Sequence, residues 1–348
     1  MKNFTIITLL VMLGYLSHAQ WISPYTTATA GGTGKIANGP GDTTFITYSI
    51  GQAVTLSGYL DGDTTGASLI GGFQQPFYPV SFCGDIENET RTLGPGLVHI
   101  CGDIHVRSNG VLTIRPQTTL QFSNGNGLYI ESTGKILAEG SDEKPIRFTS
   151  DTTQPNGNWK GIRFENMAAV GSLTSIFKHC IFEHADVMNE NLNGGGMLIS
   201  NFHKVTIDSC LFMNCHAKNG GGIAIVYSGG TVQVPLLAIS NSEITNCSAT
   251  ENGGGLYLEG LPFEFTNMKF NNFSFCDALN GGGMAFKNCE PLIQNGCFLH
   301  NNQSENYGGA IYVFQTDFKN LNSIIANNTA EKGGGVYGFS NSTLSLFN

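Results

Sequence analysis

Phe273-Ser274-Phe275-Cys276-Asp277-Ala278-Leu279-Asn280-Gly281-Gly282-Gly283-Met284-Ala285-Phe286 decides how this chain is read. An apolar run gives way to small residues, then to a glycine triplet, then to alternating apolar positions. The order recurs. Gly-Gly-Gly or Gly-Gly-Ala starts at Gly194, Gly220, Gly253, Gly281, Gly308 and Gly333, at intervals of 26, 33, 28, 27 and 25 residues. After the triplets come Met197/Ile199, Ile223/Ile225, Leu256/Leu258, Met284/Phe286 and Ile311/Val313. Period-two alternation turns one set of side chains inward and the other outward. Before the triplets stand Phe182, Phe212, Ile244, Phe273, Leu299 and Ile325. Three residues further on are Ala185, Cys215, Cys247, Cys276, Asn302 and Asn328. Two more residues lead to Val187, Ala217, Ala249, Ala278, Ser304 and Ala330. Between a triplet and the next apolar run lies a third strand candidate, such as Val205-Thr206-Ile207 or Leu237-Ala238-Ile239.

Three short strands in such a period predict an all-β chain, a right-handed parallel β-helix solenoid. Each repeat is one coil, stacked on the last at the strand spacing of about 4.8 Å. A leucine-rich repeat needs a leucine pattern and helical segments that are absent. A propeller blade needs four strands in about 40 residues. Composition agrees. Glycine is 46 of 348 residues, about 13%, roughly twice ordinary usage. Asparagine is 33, with 24 after residue 188; stacked at turns, it forms amide ladders and tolerates left-handed backbone. Charged residues are 12%, too few for the solvated faces of an all-α fold. Hydrophobic residues are 41%, too many for a disordered chain. The net charge is −9 and no arginine follows Arg163, which argues against nucleic acid as a partner.

Met1 to Ala19 has the pattern of a secretory signal, with Lys2, an apolar stretch Phe4 to Leu16, and small residues at Ser17 and Ala19. The expected mature protein is secreted or extracellular and without a transmembrane span. Residues 20–80, rich in Gly and Thr, read as a separate N-terminal module, β or flexible, and 81–348 as the β-helix. Nine cysteines fit an oxidising compartment. Cys83 and Cys101 each open Cys-Gly-Asp-Ile outside the repeat columns and are the disulfide candidates. Cys215, Cys247 and Cys276 form a column, as do Cys180 and Cys210. A coil rise permits bridges between neighbours, but inward-pointing thiols serving as small hydrophobes are the preferred reading. No zinc spacing is present, and neither a structural metal nor a cofactor is expected.

Residues 95–164 resemble the opening coils of secreted right-handed β-helix proteins. Gly110-Val111-Leu112-Thr113-Ile114-Arg115-Pro116, Leu137-Ala138-Glu139-Gly140, Pro145-Ile146-Arg147-Phe148 and Trp159-Lys160-Gly161-Ile162-Arg163-Phe164 carry that resemblance. Residues 180–348 look like the repeats of polymorphic outer-membrane proteins and related surface β-helices, most closely at Gly308-Gly309-Ala310-Ile311 and Phe298-Leu299-His300-Asn301. Tyr48-Ser49-Ile50-Gly51-Gln52 and Gly72-Phe73-Gln74-Gln75-Pro76 are similar to N-terminal modules of type IX secretion system cargo. Such cargo usually ends in a sorting domain. This sequence stops in mid-coil at Ser345-Leu346-Phe347-Asn348, so a fragment of a longer surface protein is expected.

β-Helices support polysaccharide cleavage and binding. A uronate lyase needs cations to clamp a carboxylate, and the repeats hold no arginine. A glycoside hydrolase needs paired carboxylates. Glu251, Glu305 and Glu331 stand just before the triplets, so Glu305 and Glu331 are catalytic candidates; an exposed polar column is the preferred reading. Glu183, His184, Asp186 and Glu190 form the densest ionisable cluster, with His203 nearby, and Glu183 and His184 are further catalytic candidates against a solvated loop. Asp61 and Asp63 suggest calcium but lack the later ligands of an EF-hand. The expected function is non-catalytic adhesion or ligand binding, with a polysaccharide or host surface as partner. The alternatives are a polysaccharide-degrading enzyme and a structural spacer.

Overall fold

The computed structural model describes residues 32–39, 42–48 and 80–347, apart from 124, 152–157, 168–173, 202–203, 229–235, 263–264 and 291. The chain divides into two units, one ending at Tyr78 and one running Pro79–Asn348. In the first, Gly32–Gly39 pairs antiparallel with Asp42–Tyr48. The signal-like segment 1–19, Asp61, Asp63 and His203 lie outside the described residues.

The second unit is a parallel β-helix. In one coil the strands Phe265–Lys269, Asn272–Ser274, Asp277–Asn280 and Met284–Lys287 follow in order. Each pairs in parallel with a strand of the next coil: Leu292–Asn295, Phe298–His300, Gln303–Tyr307 and Ile311–Phe314. The four resulting stacks are termed the first to fourth ladders. The first holds ten strands, from Thr90–Leu93 to Thr343–Phe347. The long strand Gly96–Arg107 belongs to both the second and the fourth ladder, pairing through its halves with Thr118–Phe122 and Leu128–Ser132 and, on its other side, with Val80–Glu87. Strand twist in L-residues makes such parallel crossovers right-handed. Among the described residues, no helix is long and apolar enough to cross a membrane.

The third ladder corrects the expectation of three strands per coil. It has four members, His216–Asn219, Ser248–Asn252, Asp277–Asn280 and Gln303–Tyr307. Each sends a single small side chain inward: Ala217, Ala249, Ala278 or Ser304, all buried. One apolar position per strand leaves no alternation to read in the sequence.

Inward side chains of successive coils lie directly over one another. Phe148, Phe182 and Phe212 stack along the second ladder, with ring centroids 4.9 and 4.4 Å apart and planes within 12° of parallel. Full burial stabilises each such ring by about 1.5–3 kcal/mol. The fourth ladder departs from simple alternation. Its outward Leu198, Ala224, Tyr257 and Ala285 are also buried and form a second apolar cluster. The glycine turn doubles back against them: Gly281 has φ +65°, and a Cβ there would lie 3.0 Å from that of Ala285. A Cβ on Gly282 would press to 2.6 Å on the carbonyl oxygen of Gly309, one coil on. The neighbouring coil therefore blocks a side chain at the second triplet position, whereas the third admits alanine at Ala310.

Polar ladders close the corners. Asn219 Nδ2 donates to Asn193 Oδ1, Asn252 Nδ2 to Asn219 Oδ1 and Asn280 Nδ2 to Asn252 Oδ1, at 3.0, 2.8 and 3.0 Å. Cysteine does the same work in the corner after the second ladder. The thiols of Cys215, Cys247 and Cys276 point at the carbonyls of Phe182, Phe212 and Ile244, at 3.8, 3.8 and 3.6 Å. On the next two coils Asn302 and Asn328 donate to Phe273 and Leu299 carbonyls, each at 2.9 Å. These thiols, with Cys180, Cys210, Cys289 and Cys297, are free and buried. Burial raises the pKa of Cys180 and Cys247 and disfavours the thiolate. Cys83 and Cys101 are joined by a disulfide with their Cα atoms 5.3 Å apart.

Candidate functional site

The corners on either side of the second ladder require left-handed backbone. His179, Ser209, Asn241, Phe270, Gly296 and Asn322 supply it on the entry side, with φ between 46° and 67°. His184, Asn214, Asn246, Phe275, Asn301 and Asn327 supply it on the exit side, with φ between 51° and 58°. Asparagine and glycine adopt this conformation cheaply, whereas a bulky side chain costs about 1–2 kcal/mol. Phe270 and Phe275 nonetheless take it on the same coil, and both are exposed, at 61% and 55%. Between them Phe273 is fully buried.

Phe298, facing outward on the next coil, is 39% exposed and stacks on His300 with centroids 4.2 Å apart. The same imidazole meets the Phe275 ring edge-on at 5.9 Å. Asn301 Nδ2 lies 2.8 Å from His300 Nδ1. Donation from that amide leaves the imidazole proton on Nε2 and pointed away from the pair. At the other end, Phe270 lies against Gly296, where a Cβ would come within 2.5 Å of its ring. Ile324, 60% exposed on the following coil, extends the apolar surface. Leu344 and Leu346 are exposed as well, but they stand in register with the buried Phe318 and Asn320 on the last described coil. The phenylalanines lie on coils with described neighbours on both sides. They form a lateral strip across the second ladder.

The strip leads into an open cleft of about 340 Å³ lined by Phe275, Asp277, Asn301, Gln303 and Glu305. Asp277 stands opposite Gln303, so Glu305 lies two residues along on the adjacent coil. Asp277 is exposed at the edge of the cleft. Desolvation by its surroundings is the main cause of its raised pKa; His216 opposes the shift and the nearby Glu305 adds to it. His216 Nδ1 itself lies 2.6 Å from Ser248 Oγ, one coil before Asp277 on the third ladder.

The residues singled out in the sequence are distributed differently. Glu305 lines the cleft. Glu331 is exposed on the next coil, in a stretch bracketed by the bridges Gln303–Thr329 and Tyr307–Lys332, and does not line it. Glu251 pairs with Lys218 Nζ at 3.6 Å and accepts from Asn219. Glu183 is 9% exposed and accepts from Arg147 Nη1 at 2.6 Å, while its carbonyl accepts from Trp159 Nε1 at 2.8 Å. His184 is one of the left-handed corner residues. Asp186 accepts from the Met188 amide at the start of a 3₁₀ turn, and Glu190 pairs with Lys160 at 3.3 Å. The densest acidic run thus holds the scaffold together. Among the described residues, no three His, Cys, Asp or Glu side chains form a metal-binding group.

Phe270, Phe275, Phe298, His300 and Asp277 were not among the sequence candidates. One signal was present: a phenylalanine interrupts the exit column, which after His184 otherwise reads Asn214, Asn246, Asn301 and Asn327.

No family model, curated protein or solved structure matches the chain. The resemblances to polymorphic outer-membrane repeats and type IX cargo therefore rest on the quoted residues alone.

Proposed function

We propose that the protein is a non-catalytic glycan-binding β-helix that works at a cell surface or in the extracellular medium. One observation carries the reading: Phe270 and Phe275 sit in left-handed corners and expose their rings, against both conformational and hydrophobic preference. Strain of this kind concentrates at functional positions. An exposed apolar strip in the middle of a stack marks a binding surface.

Phenyl faces suit the C–H faces of pyranose rings, while Asp277, Gln303, Asn301 and His300 offer hydrogen-bond acceptors and donors to hydroxyls. The two carboxylates disfavour uronate polymers by like-charge repulsion. The outer-membrane-like repeats and the signal-like Met1–Ala19 support placement outside the cytoplasm and a role in adhesion. The test is retention on a panel of immobilised neutral, acidic and amino polysaccharides, followed by calorimetry. Retention lost in Phe298→Ala, with unchanged folding, supports the reading. Failure to retain any of the panel sinks it.

A second reading has one observation behind it. The register puts Glu305 on the coil next to Asp277 and two residues along, so two carboxylates share one cleft, the pairing on which glycoside hydrolysis depends. New reducing ends on incubation with any bound polysaccharide would establish it in place of simple binding.

A further inference from the structure

We infer that this surface is specific for glycans bearing free amines, with sugar faces on the strip formed by Phe270, Phe298 and Phe275 and an ammonium held between Asp277 and Glu305. The inference rests on the glycan-binding reading above. It follows from charge and geometry in the cleft.

Two carboxylates line the cleft, and none of its lining residues is a lysine or arginine. Three acids elsewhere in the β-helix pair with lysines: Glu251 with Lys218, Glu259 with Lys287 at 3.0 Å, and Glu190 with Lys160. Among the described residues, neither Asp277 nor Glu305 forms an ion pair with a lysine or arginine. The charged or titratable groups acting on Asp277 are Glu305, which repels, and His216, which attracts from two coils back. Desolvation is the main cause of its raised pKa, His216 lowers it and Glu305 raises it further. A ligand ammonium supplies the cation for this pair.

The neighbouring surface selects what carries the ammonium. A hard metal ion would use the carboxylates and water but make no use of the phenyl strip. The phenyl strip at its edge instead asks for a ligand with flat apolar faces beside its cation, and Phe275 adds cation–π attraction at the mouth. An amino sugar joins both in one residue. A chain of them repeats the match along the strip.

The experiment is calorimetric titration of the protein with three probes of equal length: a fully deacetylated glucosamine hexamer, its fully N-acetylated counterpart, and hexalysine. We expect the amine hexamer to bind about tenfold or more tightly than the acetylated one, the scale of a charge-assisted hydrogen bond. Screening should erode that preference as salt rises. Asp277→Asn, or Glu305→Gln if the first variant folds poorly, should bring the two hexamers close to parity. Phe298→Ala should weaken both alike. Equal affinity for the two hexamers in the unaltered protein overturns the amine inference while leaving glycan binding intact. Hexalysine binding as tightly as the amine sugar and ignoring Phe298→Ala also overturns it, in favour of a basic peptide. Binding of none of the three, and no retention on the wider polysaccharide panel, overturns the glycan reading too.

Discussion

The seat of Phe270 on Gly296 is open to a quantitative test. Gly296→Ala perturbs two things at once. The backbone there has φ +67°, so any side chain carries a left-handed penalty of about 1–2 kcal/mol. The new methyl would also lie 2.5 and 2.7 Å from Cδ1 and Cε1 of Phe270, forcing the ring off its seat. Overpacking of that kind costs about 1–3 kcal/mol. The single variant should therefore lose about 2–5 kcal/mol in urea-induced unfolding. Phe270→Ala removes the ring, so in that background Gly296→Ala should cost only the backbone share. A double-mutant cycle then yields a coupling of about 1–3 kcal/mol, well above the scatter expected of independent sites. The ligand readout is separate. Gly296→Ala should weaken glycan binding as much as Phe270→Ala does, because both empty the same stretch of the strip. Coupling below about 0.5 kcal/mol would refute the seating argument, and the exposed ring would then be mobile rather than preorganised.

Three further outcomes follow from the same geometry. Phe212→Ala, in the middle of the stacked rings, should cost about 3–5 kcal/mol in chemical denaturation, whereas a loss under 1 kcal/mol would mean the stack can collapse around the gap. Cys276→Asn should stay within about 1 kcal/mol of the parent, since Asn302 and Asn328 fill the equivalent corner with the same bond to the preceding coil, and a core-sized loss would refute that equivalence. Asp277 has a raised folded pKa, so its ionised form opposes folding above that pKa, and the penalty disappears below the unfolded value of about 3.9. Asp277→Asn should accordingly be the more stable form at pH 7, with the advantage vanishing as pH falls towards 3; a stability gap that stays constant across this range would contradict the assignment.

Much of the scaffold was legible along the chain. Phe182, Phe212, Ile244, Phe273 and Leu299 are all fully buried, in the column the spacing assigned to them. The glycine triplets, asparagine ladders and buried thiols are likewise column properties. A stacked fold repeats each environment every coil, so residue type at a fixed offset reports that environment directly. The third ladder was hidden because one inward Ala or Ser per strand leaves no periodic signal. The outward cluster of Leu198, Ala224, Tyr257 and Ala285 was hidden because alternation tells which way a side chain points, but not what lies outside it.

The candidate site belongs to the second kind. In Phe270-Asn271-Asn272-Phe273-Ser274-Phe275 the three aromatics look like equivalent core material. Left-handed corners at Phe270 and Phe275 turn two of them out and leave one in, and backbone handedness at a corner is set by the coils stacked on either side. The acidic pair tells the same story. Distance to the triplet groups Glu305 with Glu331 and Glu251, and the bridges Gln303–Thr329 and Tyr307–Lys332 do set Glu331 level with Glu305 to within a residue; register, with Asp277 opposite Gln303, adds Asp277 on the other side. The coil, its inward columns and its corners could be read along the chain, because they depend on residue type at a repeating offset. Which side chains meet across coils could not, because that depends on register, and register is the outcome of all the ladders fitting together at once.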